Sequence, residues 1–185
     1  MIDEVLQDAE ERMQGAVAAA RREFAAVRSG RASASLLDRV TVDYYGSMTP
    51  LNQLASVSVP EARLIVVQPW DKSQLKAIEK AILESDLGLT PTSDGSVIRI
   101  VVPQLTEERR KELVRIVRKE AEEKRVVVRN VRRDANETLK ELEKAKEISA
   151  DDCKRAQERV QALTDKYIQE IDRLLEVKEK EIMEV

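Results

Sequence analysis

Thr106–Ala145 reads TEERRKELVRIVRKEAEEKRVVVRNVRRDANETLKELEKA, forty residues without a glycine or a proline. Thr106 suits a helix N-cap, and Glu107 and Glu108 suit the positive end of the helix behind it. Apolar residues then recur with helical spacing at Leu113, Val117, Val128, Val131, Ala135 and Leu142, which predicts one packed face. At 1.5 Å per residue the helix is about 60 Å long. Inside it, Lys124–Arg133 holds five basic residues and no acidic one. At about 100° per residue, Arg118, Arg125, Arg129 and Arg132 fall within about 60° of each other, beside the apolar face. Planar, permanently charged guanidinium forks in such a row suit phosphate oxygens.

The flanks of this stretch repeat its logic. The N-terminal segment places Ile2, Leu6, Ala9, Met13, Ala16, Ala20, Phe24 and Val27 at steps of three and four, with Gly30 as the expected terminator. Ser149-Ala-Asp-Asp152 opens a last helix whose seam is Cys153, Ala156, Val160, Leu163, Tyr167, Ile171 and Leu174. Three long helices with one seam each can bury those seams only against one another. The expectation is an antiparallel three-helix bundle, monomeric because its outer faces are heavily charged. Cys153 lies on the seam and reads as a small buried hydrophobe.

Between the first and second bundle helices the composition changes. All five prolines lie between positions 50 and 103, and four of the five glycines between 30 and 95. Val40, Val42 and Tyr44 alternate with Thr41 and Asp43, and 54–59, 63–68 and 97–102 also read as strands. Residues 72–85 have helical spacing, and Thr90–Ser96 reads as a turn-rich loop. Trp70 reads as a cap on this domain's core, with a stacking platform as the alternative. The predicted fold class is therefore α+β. The bundle comprises 1–29 and 106–185, and a small β/α/β domain, 30–105, is inserted into it, giving an L-shaped two-domain molecule. Two crossings, Ser29, Gly30 and Arg31 in one and Gln104, Leu105 and Thr106 in the other, would form a hinge.

Catalytic chemistry finds no support. The chain has no histidine and a single cysteine, so Ser-His-Asp and Cys-His sites are excluded. It carries no Gly-rich phosphate loop and no C-x-x-C pair. No enzyme, metal or cofactor is expected. A single cysteine also fits a reducing compartment. No apolar run is long enough for a membrane span, and the start of the chain lacks the pattern of a signal or transit peptide, so a cytoplasmic protein is expected. Charge is unevenly placed. Arg109–Arg133 holds eleven basic and four acidic residues, whereas 150–185 holds seven basic and ten acidic, in a chain of net charge -3. A polarised arm favours docking on a polyanion in one orientation. No compact groove-entering motif of a DNA reader is present, and a long basic helix face suits folded RNA.

Several strings in fixed order resemble the ribosome recycling factor family. They are Arg28-Ser-Gly-Arg-Ala-Ser-Ala-Ser-Leu-Leu37, Tyr44-Tyr-Gly46, Thr49-Pro-Leu51, Gln53-Leu-Ala55, Ala77-Ile-Glu-Lys-Ala-Ile82, Ser85-Asp-Leu-Gly-Leu89, Leu105-Thr-Glu-Glu-Arg-Arg-Lys111 and Val128-Arg-Asn-Val-Arg-Arg-Asp-Ala135. The resemblance spans essentially the whole chain. Ser29 and Ala34 depart from it, standing where the family commonly has Thr and often has Pro.

The resemblance implies a factor that binds the post-termination ribosome. With elongation factor G and GTP it would split that ribosome into subunits and free it from mRNA. The bundle would lie on the large subunit against ribosomal RNA, and the inserted domain would be moved by the translocase. It implies RNA contacts at Arg28, Arg129, Arg132 and Arg133. The helical stripe reaches Arg129 and Arg132 independently and adds Arg118 and Arg125. Two other readings remain: an RNA-binding arm that works without a GTPase, and a coiled-coil chaperone, which the charged tip at Leu142–Ile148 disfavours.

Overall fold

The structure is a computed structural model that describes residues 1–184. It divides into two compact units, one formed by Met1–Ser29 with Thr106 onwards and the other by Gly30–Leu105.

The first unit is three helices: α1 (Ile2–Ala26), α3 (Glu107–Lys144) and α4 (Ala150–Met183), with α2 (Leu75–Leu83) lying in the other unit. Cross-helix pairs give their directions. Arg12 meets Asp134 and Lys124 meets Glu23, so α3 runs against α1. Arg118 meets Glu179 and Arg125 meets Asp172, so α4 runs against α3. The starts of both long C-terminal helices are capped by side chains: Thr106 accepts from the Arg109 amide and Ser149 from the Asp152 amide. Each cap satisfies an amide that has no partner inside the helix.

The core follows the seams. Met13, Val117, Val128, Leu139, Val160 and Ile171 are fully buried. Truncating any of the larger ones to alanine costs about 2–5 kcal/mol. Some details differ from the expected seams. Ala121 and Leu139 are buried in α3 while Leu142 is half-buried, and Thr164 is buried in α4 while Leu163 and Leu174 are half-buried. Thr164 hides its hydroxyl by donating to the Val160 carbonyl at 2.9 Å, so a polar residue can occupy the seam. Cys153 is buried, and burial pushes its thiol pKa up.

The expected terminator Gly30 does not end α1. The helix stops at Ala26, and Val27 already has extended backbone. Gly30 is needed for another reason. Its φ is +82°, and a Cβ there would come within 3.0 Å of the Leu105 side chain, so any other residue would be strained and crowded.

In the second unit, β1 (Thr41–Tyr44) and β2 (Ser47–Pro50) form a hairpin, and β3 (Ala55–Glu61), β4 (Leu64–Pro69), β6 (Ile98–Val101) and β5 (Pro91–Ser93) form a sheet in that order. Every pairing is antiparallel, so the segment has no parallel βαβ crossover. Helix α2 (Leu75–Leu83) adds Leu75, Ile78 and Ile82 to a core with Val42, Ile65 and Ile100.

Two strands lie where none was expected. β2 is a short run that follows the Tyr45-Gly46 turn, both turn residues having positive φ. β5 lies inside the expected loop at 90–96, three residues long and beginning with a proline, as an edge strand can. Trp70 is 67% exposed and so caps no core.

Candidate nucleic-acid interface

Helix α3 presents the arginines, and its apolar seam fixes which way they face. Burial of Leu113, Val117, Ala121, Val128, Val131, Ala135 and Leu139 sets the rotation of the helix. The remaining positions must lie at its flanks or in solvent.

The acids around the arginines divide them. Arg118 pairs through Nε with Glu179 of α4, which raises the guanidinium pKa. Arg125 is less accessible than Arg118 or Arg129, its side chain 19% exposed. Its Nε lies 2.7 Å from Asp172 of α4 and its terminal nitrogen 3.0 Å from Glu122 of α3 itself. These two arginines therefore tie α3 to α4. Arg129 lies 2.9 Å from the same Glu122 and has no tie to another helix among the described residues. Hydrogen bonds from Arg129 and Arg125 hold the Glu122 carboxyl below its ordinary pKa.

One turn further on, Arg132 meets only a neutral side chain, Gln161 at 3.5 Å, and Arg133 only Asn130 at 3.4 Å. Arg28, just past the end of α1, is exposed. Among the described residues no carboxylate lies within ion-pair distance of Arg28, Arg132 or Arg133. Their charge is available to a ligand without first breaking a pair.

Sequence reasoning could not see the acids contributed by α4. Glu122 was visible, three and seven residues before Arg125 and Arg129, spacings that bring residues to one side of a helix.

On the side of α3 that faces α1, the balance is reversed. Lys124 lies 3.0 Å from Glu23, while the second oxygen of Glu23 and one of Glu120 are buried with no hydrogen-bond partner. Burial, then the neighbouring Glu23 charge, pushes the Glu120 pKa up.

The residues of the two crossings are held within their own units. In the bundle, Ser29 is buried and donates to Glu181 at 3.1 Å, whose other oxygen receives Lys178 at 3.2 Å. Thr106 is the cap of α3. In the inserted unit, Gly30 packs on Leu105 and Gln104 accepts from Arg63 at 3.4 Å. Arg31 is exposed and has a partner.

No group of acidic and cysteine side chains that could hold a metal exists among the described residues. No helix among them is long and apolar enough to cross a membrane.

The ribosome recycling factor family model matches residues 20–183. A ribosome-recycling factor of Heliobacterium modesticaldum is 62% identical over 185 residues, covering all of both chains. One of Bacillus subtilis is 60% identical over the same length, again covering all of both chains. A solution structure of a ribosome recycling factor aligns with TM-score 0.74 and 52% identity, over 100% of this chain and 98% of that one. A second structure, from models of the T. thermophilus ribosome recycling factor and the E. coli elongation factor G bound to the E. coli post-termination complex, aligns with TM-score 0.64 and 47% identity over all of both chains.

Proposed function

The chain belongs to the ribosome recycling factor family, and from that premise we propose that its bundle is the arm that docks on large-subunit ribosomal RNA. Arg28, Arg129, Arg132 and Arg133 meet the RNA, whereas Arg118 and Arg125 hold the arm in shape. The observation that carries this reading is the division of the arginines. Arg132 and Arg133 have only neutral partners while Arg118 and Arg125 are tied to α4. Guanidinium groups without a carboxylate partner gain charge-assisted hydrogen bonds to phosphate without first breaking an ion pair, and each phosphate neutralised releases a counterion.

The factor acts in the cytoplasm, as a monomer, on the post-termination ribosome, together with elongation factor G. It performs no chemistry of its own in this reading, and GTP hydrolysis belongs to its partner. Splitting follows from differential affinity: an arm that binds the separated large subunit better than the joined ribosome shifts the equilibrium towards separation. The two crossings, Ser29–Arg31 and Gln104–Thr106, let the inserted domain move under the translocase. The bundle meanwhile keeps its place, because Ser29 is fastened to Glu181 and Thr106 to the first turn of α3.

Light scattering tests this directly. Post-termination ribosomes mixed with the protein, elongation factor G and GTP should lose scattering, and omission of any one component should abolish the loss. Retained scattering with all components present, while the protein binds large subunits, would leave an RNA-binding arm that works without a GTPase.

A further inference from the structure

Glu122 sits in the middle of the arginine stripe, and no other helix needs it. Its two carboxylate oxygens each take one guanidinium, Arg129 at 2.9 Å and Arg125 at 3.0 Å, all three residues belonging to α3. It is 53% exposed and Arg129 is 37% exposed, so water and ligands can reach the pair. Exposed ion pairs of this kind add little to stability and can be exchanged for another anion. Asp172 and Glu179 differ, because they reach across from α4. Removing either would loosen one helix from the next, whereas removing Glu122 changes only the charge and the order of the stripe.

We infer that Glu122 is a positioning residue that sets the selectivity of the stripe, holding Arg129 in place beside the anchored Arg125 and subtracting one charge from the face that meets RNA. The inference rests on the reading of that face as RNA-binding. An unstructured polyanion is drawn by net charge alone, and Glu122 weakens that pull. A folded RNA with a phosphate that matches the preset Arg129 replaces the carboxylate with charge-assisted hydrogen bonds of the same geometry. Specificity is a difference between affinities, and an acid placed among the cations lowers the wrong one more than the right one. A factor that must find one surface on the large subunit among much other RNA benefits from that difference.

Glu122→Gln removes the charge and keeps the shape, and Glu122→Asp keeps the charge. Binding of each to poly(U) and to isolated large subunits is measured between 50 and 200 mM salt, with melting temperature as the structural control. Glu122→Gln should bind poly(U) about threefold more tightly at low salt, with a slope steeper by about 0.7 for each additional phosphate contact. Its affinity for large subunits should change less, so the ratio of the two falls. Glu122→Asp should keep the wild-type slope, and neither variant should melt differently from wild type. Unchanged poly(U) affinity and slope in Glu122→Gln, or identical behaviour of the Gln and Asp variants, would overturn the inference. If Arg132→Ala binds large subunits as wild type does, the RNA-binding reading itself fails, whatever Glu122 shows.

Discussion

The first half of the basic face on α3 and its last turn carry the same kind of residue and differ in what stands opposite. Arg118 and Arg125 face Glu179 and Asp172 of α4, while Arg132 faces Gln161 of the same helix. One amide in place of a carboxylate thus separates an arginine that fastens the bundle from one that is free for a ligand. A count of basic residues along the helix cannot make this distinction, since it assigns each guanidinium the same weight. Binding charge is what remains after neighbouring helices have taken their share.

The largest effect expected from this contrast is at the free end. Arg132→Ala should weaken large-subunit binding by about 1.5–3 kcal/mol, the range for a charged hydrogen bond, with the melting temperature unchanged; equilibrium sedimentation with large subunits would measure it. A smaller effect of a different kind belongs to the paired half. Arg125→Ala should lower bundle stability by about 1 kcal/mol, near the upper end for exposed pairs, in urea unfolding. It should spare most of the affinity, because both its acids are half-exposed and return to water.

The smallest effect sharpens the comparison from the side of α3 that faces α1, where acid rather than arginine is in excess. The Glu120 pKa is raised above its ordinary value of 4.5. An acid raised in the folded state stabilises fully below its ordinary pKa, and that contribution is lost as pH rises through the raised value. Glu120→Gln cannot lose it. The variant should therefore gain stability relative to wild type above that window and not below it, as thermal melts at pH 4 and pH 7 would show.

The bundle was legible in the sequence because its signals are long. Seams repeated over many turns fix helix type and buried face even where single positions such as Leu142 or Leu163 turn out half-buried. The inserted domain was less so. β2 and β5 are three or four residues long, too short for alternation to register, and they exist because neighbouring strands offer hydrogen bonds. The same distinction holds for the site. The row of arginines follows from spacing within one helix. Its division into paired and free depends on Glu179, Asp172 and Gln161, which lie 29 to 61 residues away in sequence and reach α3 only once α4 has packed. Glu122 was within reach of local spacing and stands out only once both of its partners are seen to share it.

The most direct test is the salt dependence of large-subunit binding for Arg132→Ala beside Arg118→Ala. Arg132→Ala should lower affinity and flatten the slope by about 0.9 for a duplex phosphate contact. Arg118→Ala should leave both as in the wild type. Equal losses from the two substitutions, or no loss from either, would contradict the division of the stripe.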